Sequence, residues 1–428
     1  MPATQLHQTS FVEMVAEGPQ RPVWFVSHWW GEPVDAFIKC VAEHGRLRHL
    51  TEAHRDIYWI CAYANNQWDL STDVGNAPSE TAFFKAMAIA DGTVSIVDAS
   101  AQTYTRIWCG YEVATTLQAH RQKRYDVAAL TADGEAVVAT DGLAAEDEVQ
   151  GKADVWLHRG GADGHKLHRE RRLPLELLAK GLKQRLEDGN ASVEKDRRCI
   201  LNSLIGRSDA DLDLPVLEEP ERYQHVNDSL HWRLGTAMLA ACKDSHEARR
   251  HGLLDLAEPE GWDCLETYDQ LGRTFYETSR FDLALPCYQR AWGVLERSIN
   301  TEAATAEDTQ RGGGLLTHMS LVKNDTGDYE GALHLCEQAK EIFEATGALQ
   351  TPNGARLLTC MGNVKVRTGN YEGALHLHER AKEILEATGA LQTPSGAILL
   401  TSMGSVKFVT GDHEGALHLY EQAKEIYE

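Results

Sequence analysis

The chain has 428 residues, 43% of them apolar and 25% charged, and a formal net charge of −22. That length exceeds one ordinary core and predicts two or three domains. No apolar run reaches the roughly 18 residues of a spanning helix, and the first residues lack the basic start and apolar run of a secretory signal. The negative charge is uneven, −6 over residues 1–206 (22 basic against 28 acidic) and −16 over the rest (20 against 36). An array this acidic repels phosphate backbones, which excludes nucleic acid as the expected partner. Nine cysteines occur singly with no CxxC pair. This pattern points to reduced, buried thiols in a cytosolic protein and away from a disulfide scaffold or a zinc site.

Residues 22–140 alternate strand-like and helix-like segments. PVWFVSHWW (22–30) reads as a strand, VDAFIKCVAEH as a helix, and DIYWICAYA (56–64) as a second strand. SETAFFKAMAIA (79–90), GTVSIVDAS (92–100), RIWCGYEVATTLQAH (106–120) and YDVAAL (125–130) continue as helix, strand, helix and strand. Such alternation predicts an α/β domain with a mainly parallel sheet covered on both faces. Ligands bind such sheets at the carboxyl ends of the strands. Those ends carry Ser27, His28, Trp29 and Trp30, then Asn66 and Gln67, then Asp98, followed by Arg106, Trp108, Cys109 and Glu112. Neither GxGxxG nor GxxxxGK[ST] is present, so no glycine-rich phosphate cradle is expected.

FVSHWWGE, YWICAYANNQ and RIWCGYE together resemble TIR-like domains and the related heterokaryon-incompatibility domains. The resemblance spans about 120 residues and rests on Ser27-His28, Asn66-Gln67, Trp108-Cys109 and Glu112; Cys61-Ala62 departs from the heterokaryon pattern. It implies a flavodoxin-like fold and a role in signalling or self-association. It also implies NAD as a possible substrate, with the helix-borne Glu112 as the essential carboxylate. A carboxylate suits that chemistry, because breaking a C–N glycosidic bond develops oxocarbenium charge. Against it stand plainer roles. Glu112 can pair with Arg106, the tryptophans can be packing residues, and His28 can simply hydrogen-bond its loop. Cys61 with His28 reads as a nucleophile and base only weakly, since Cys61 lies in an apolar strand.

Residues 131–173 read as a polar loop or hairpin insertion (EAVVAT, ADVWLHR), with His165 and His168 too few to hold a metal. Amphipathic helices are expected over 173–189 and 192–206, the second opened by a capping box at Ser192. The resulting division is a tail (1–20), the α/β domain (21–206), an acidic linker (207–222) and a helical repeat array (223–428).

The array declares itself by self-similarity. GDYEGALHL, GNYEGALHL and GDHEGALHL begin at Gly327, Gly369 and Gly411, a period of 42, and residues 327–368 match 369–410 at 32 of 42 positions. Each unit parses as two helices, with small residues (Gly362, Ala374, Ala381) recurring where helices must approach closely. Leu271, Gly272, Phe275, Ala284, Tyr288 and Ala291 mark an earlier unit, and HWRLGTAML a weaker one. These intervals resemble the tetratricopeptide repeat, in its 42-residue kinesin light chain variety. The resemblance implies a solenoid whose first helices line a groove for a protein or peptide. Lys323, Lys365 and Lys407 recur at the period, with Asn363 beside them, as candidate partner-binding residues. They form either a ladder for acidic groups or ion pairs with neighbouring acids. His334, His376 and His418 also recur, too far apart to share a metal. No bound cofactor is expected, and copy three ends without a polar capping helix.

Overall fold

The computed structural model describes residues 4–50, 57–69, 77–118, 123–153, 161–216, 220–259, 264–299 and 305–427. The chain divides into two compact units, Met1–Trp262 and Asp263–Glu428. Helix 224–241, which carries HWRLGTAML, falls in the first.

In the first unit β1 (Trp24–Ser27), β2 (Tyr58–Ile60), β3 (Gly92–Val97), β4 (Arg124–Leu130) and β5 (Ala136–Ala139) form one sheet, in the order β2-β1-β3-β4-β5. β1 lies parallel to β2 and β3, and β3 parallel to β4. β5 returns antiparallel to β4 as a hairpin, turning at Gly134 with φ +78°. The helices are α1 (Phe11–Val15), α2 (Val34–Leu47), α3 (Cys61–Ala64), α4 (Ala82–Ile89), α5 (Ile107–Gln118), α6 (Ala145–Ala153), α7 (Gly161–Glu170), α8 (Leu175–Leu182), α9 (Glu194–Leu204), α10 (Gln224–Ala241) and α11 (Ser245–Arg250). Every β3 residue is buried, as in a sheet covered on both faces. Alternation along β1 sends Trp24 and Val26 toward Phe37, Cys40 and Leu47 of α2. Phe25 points the other way, into Met87 of α4 and Ile107 and Tyr111 of α5.

A buried carboxylate ties the first of these layers together. Asp126 on β4 is fully buried and accepts from Arg48 Nη2 (2.7 Å) and Nε (2.9 Å) and from the Asp141 amide (2.7 Å). His44 Nε2 lies 2.9 Å from it, while the other ring nitrogen meets the Tyr58 hydroxyl at 2.6 Å. Asp126 thus joins β4 to the end of α2 and to the segment after β5, and His44 extends the link to β2. Burial alone would raise the Asp126 carboxyl, but His44 and Arg48 hold it well below the usual carboxylate range.

Several expectations are corrected. The second strand ends at Ile60; residues 61–64 turn into α3, whose first carbonyl accepts from the Asn65 amide (3.2 Å) and Gln67 Nε2 (3.3 Å). The insertion over 131–173 supplies β5 and then two helices, α6 and α7, because buried Asp147 binds Arg169 Nη2 (2.8 Å), His165 (2.9 Å) and the Ala144 amide (2.8 Å). Most of ADVWLHR lies outside the described residues. The helix expected over 173–189 stops at Leu182, and Leu186 instead donates its amide to Asn227 of α10 (2.9 Å). Helix α9 begins at Glu194 with no side-chain cap; Ser192 accepts from Arg106 (3.4 Å).

The second unit is a run of helix pairs: α12 (Cys264–Glu277) with α13 (Phe281–Ile299), α14 (Ala306–Asp325) with α15 (Tyr329–Ala345), α16 (Pro352–Arg367) with α17 (Tyr371–Ala387), and α18 (Pro394–Val409) with α19 (His413–Tyr427). Asp328 and Asn370 cap the second helices by accepting from Gly331 and Gly373 amides (2.9 Å each). The glycine run at 312–314 lies inside α14, because Phe343 presses so close to Gly313 that a Cβ there would meet its ring at 2.5 Å. In three of the four described pairs one contact recurs sixteen residues apart. Gly272 lies under Tyr288, Gly362 under His378 and Gly404 under Tyr420, each too close for a Cβ. The alanines that flank it, Ala284, Ala291, Ala332, Ala339, Ala374 and Ala381, are fully buried.

Two predictions follow from these contacts. Asp126→Asn leaves Arg48 buried with a neutral partner and should cost about 3–5 kcal/mol in denaturant unfolding. Because the folded carboxyl titrates below its ordinary 3.8, Asp126 contributes stability above that pH and loses it as pH falls further. His378 is 0% exposed, its ring nitrogens complete no hydrogen bond, and burial lowers it from 6.5 to about 4 despite the nearby Thr359 backbone. The unfolded chain therefore takes a proton that the folded one refuses, and stability falls as pH drops from 6.5 toward 4. His378→Tyr, the residue of two sister repeats, should raise the Tm more at pH 5 than at pH 8; an equal gain at both would refute the assignment.

Candidate functional site

At the carboxyl edge of the sheet, β1 ends in Ser27 and His28, which point to opposite faces. Ser27 faces α5, where its fully buried hydroxyl lies beside the Glu112 carboxyl and the Cys109 thiol without completing a hydrogen bond of good geometry. Burial pushes Glu112 up to about 8, with Ser27 pulling weakly the other way, so the carboxyl is largely protonated at neutral pH. His28 packs on Phe37 (ring centroids 4.7 Å), and burial lowers it to about 4. Its Nε2 lies 3.9 Å from Cys61 Sγ, and Trp30 Nε1 donates to that sulfur at 2.8 Å. Burial, with the Glu112 charge adding, pushes the Cys61 thiol up to about 12, far from a nucleophile at neutral pH.

The other expected residues are spent elsewhere. Asp98 organises the turn after β3 by accepting from the amides of Ser100 (3.0 Å) and Gln102 (2.7 Å). Asn66 donates to the Gln8 carbonyl (2.9 Å) and accepts from the Trp68 amide (3.0 Å). Gln67 serves its own loop. Trp108 is stacked on Phe83 (5.5 Å) in the core beneath Phe25, and Arg106 reaches Ser192 with no ion pair to Glu112. Trp29 folds back over Gly31. Glu32, the last residue of FVSHWWGE, escaped the sequence reading. It is 9% exposed, its Oε2 has no partner, and burial plus the Asp98 charge raises it to about 7. Among the described residues no His/Cys/Asp/Glu group could hold a metal ion, and His168 is exposed on α7.

In the repeat unit the recurring lysines divide. Lys323 donates to Asp328 at 2.5 Å and Lys407 to Asp412 at 2.6 Å, both acids standing just before the next helix. Lys365 faces Asn370 at the equivalent place and has no such acid; Asn363 is half-buried two residues before it. His334, His376 and His418 are exposed on the second helices.

A different polar set joins the first helices of three successive repeats. On α12, Asp269 pairs with Arg273 and lies 3.1 Å from His318 Nδ1 of α14. Arg356 of α16 donates to His318 Nε2 at 3.1 Å, which makes the imidazole neutral with its proton on Nδ1. Burial and the neighbouring Arg273 charge both hold Arg356 below its ordinary value. Among the described residues no carboxylate lies within ion-pair distance of it. The result is a half-buried cation with one neutral partner, and in the next repeat the position is Ile398. The sequence hint was the break in an otherwise near-identical unit, Arg356 against Ile398.

Among the described residues no helix is long and apolar enough to cross a membrane. None of the curated proteins compared matches the chain. Solved structures similar at low identity include the following two. BtubC (BKLC) from P. vanneervenii is 18% identical, with 49% of this chain and 82% of that one covered and a TM-score of 0.33. Aspartyl phosphate phosphatase F from Bacillus subtilis is 15% identical, with 67% and 76% covered and a TM-score of 0.38. Neither is near enough to carry an argument. Residues 314–387 and 353–428 match the tetratricopeptide repeat family, so the C-terminal region carries tetratricopeptide repeats.

Proposed function

We propose that the chain is an interaction adaptor whose repeats hold an acidic protein segment while the α/β unit signals or self-associates. The observation that carries this reading is Arg356. A cation half-withdrawn from water, with the Asp269 charge only beyond His318 and no carboxylate in contact among the described residues, is costly, and a carboxylate docking on it recovers that cost. The first helices α14, α16 and α18 pack on one another and line one side of the repeats. A peptide lying there meets Arg356 and Asn363, seven residues apart on one face of α16, and the unneutralised Lys365 near the C-terminal end of that helix adds attraction from a distance. Fluorescence polarisation with acidic peptides, some ending in a free carboxylate, tests this. Arg356→Ile, which copies the next repeat, should weaken binding at least tenfold, about 1.4 kcal/mol. Lys365→Glu should weaken it more than Lys407→Glu, because Lys407 is already paired. Unchanged affinity in Arg356→Ile would remove the reading.

A second reading places NAD cleavage at the sheet edge, and what favours it is the burial of Glu112 beside Ser27 where β1 ends. A carboxylate can stabilise an oxocarbenium ion only when ionised. Glu112 is raised from 4.5 to about 8, so nicotinamide release should climb as pH rises through about 8 and level off above it. Glu112→Gln should abolish it. A flat pH profile, or release that survives the substitution, rejects this chemistry.

A further inference from the structure

One repeat breaks the glycine–aromatic pairing described above. Where its sisters have Gly272–Tyr288, Gly362–His378 and Gly404–Tyr420, the α14–α15 pair has Ser320 and Cys336. The ring is missing, and Cys360 of α16 sits against the smaller pair. Ser320 Oγ lies 3.1 Å from Cys360 Sγ and 3.4 Å from Cys336 Sγ, and the two sulfurs are 3.8 Å apart although their residues are 24 positions apart in sequence. Both thiols are buried, at 0% and 1% exposure, and both are free. They belong to adjacent repeats, so the sulfur contact crosses a repeat junction.

We propose that Cys336 and Cys360 form a redox-sensitive pair that closes to a disulfide across this junction in the presence of a peroxide or a small-molecule disulfide. A disulfide needs sulfurs about 2 Å apart, so the pair must close by somewhat less than 2 Å, within reach of side-chain rotation and a slight slide between repeats. With hydrogen peroxide the first thiolate attacks one oxygen, breaking the O–O bond and giving a sulfenic acid and hydroxide. The second thiolate then displaces hydroxide from that sulfur. Two thiols and one peroxide become one disulfide and two waters, with both sulfurs oxidised and both peroxide oxygens reduced. Cys336 is the natural first attacker. Contacts from Cys360 and Ser320 hold its thiol below the ordinary value despite burial, while the same contact raises Cys360. Access does not require global unfolding, because a solenoid repeat touches only its neighbours and can open at one junction. Cys360 lies one helical turn from Arg356, so the bond would fix the junction that carries the Arg356–His318 contact.

The experiment uses the full chain, reduced or treated with hydrogen peroxide or oxidised glutathione. It reads peptide mass mapping, free-thiol titration and thermal unfolding, none of which needs a binding partner. The expected result is a peptide pair joining Cys336 to Cys360, two of the nine thiols lost, and a Tm raised by roughly 5–10 °C. Cys360→Ser, the residue at the equivalent Ser402, should keep the reduced Tm and abolish the shift. Ser320→Gly with Cys336→Tyr rebuilds the sister pairing and should do the same while remaining folded. Nine free thiols after oxidation would overturn the proposal, as would a wild-type shift that Cys360→Ser retains.

Discussion

The repeat unit depends on how closely its paired helices approach at one point. A glycine on the first helix accepts the ring of a residue sixteen positions on, and alanines above and below let the backbones come together around that contact. Because a Cβ at Gly272, Gly362 or Gly404 would overlap the ring, the position is restricted by space and not by backbone torsion. Variation therefore appears in the partner. Tyrosine fills the space in two repeats, a strained neutral histidine in the third, and in the fourth the whole pair is exchanged for a hydroxyl and a thiol. Each exchange changes what the junction can do. His378 gives it acid sensitivity, and Cys336 brings a second thiol within reach.

The α/β unit is organised by the opposite device, a buried charge. Asp126 is stabilised by four donors from three residues, His44 and Arg48 at the end of α2 and Asp141 after β5, and losing any of them strands the others in a dry interior. At the other end of the strands, carboxyl groups lie buried without such donors. Glu32 and Glu112 are both raised, one by burial and Asp98, the other by burial alone, and are poised to exchange protons near neutral pH. The same residue type thus serves two ends of one sheet in two protonation states, and the difference is the number of donors supplied.

Much of this architecture was legible beforehand. The strand–helix alternation over 22–130 appears as the parallel sheet, and each 42-residue unit forms the two helices that its periodicity indicated. The misreadings share a cause. Residues 61–64, 145–153 and 183–189 took their conformation from distant partners, such as Asp147 with Arg169 or Leu186 with Asn227, which local pattern does not encode. The site residues fared similarly. Ser27 and Glu112 were named and do lie side by side at the end of β1, whereas His28 turns to the other face, against Phe37 and Cys61. Trp108 and Asn66 were also named, but packing and loop hydrogen bonds consume them.

The sequence by itself determined the repeat length, the helix pairs and their small-residue contacts, since a duplicated unit writes its spacing directly into the chain. It also determined, through hydrophobic period, the four parallel strands over 22–130 and the main helices between them. Which side chains meet across elements was decided only by the tertiary structure. Arg356 reaches His318 from 38 positions away, Asp126 gathers His44, Arg48 and Asp141 from the end of α2 and the segment after β5, and Cys360 finds Cys336 through the space a missing ring leaves. Such meetings depend on the packing of whole helices and strands, and their residues carry no local signal of it.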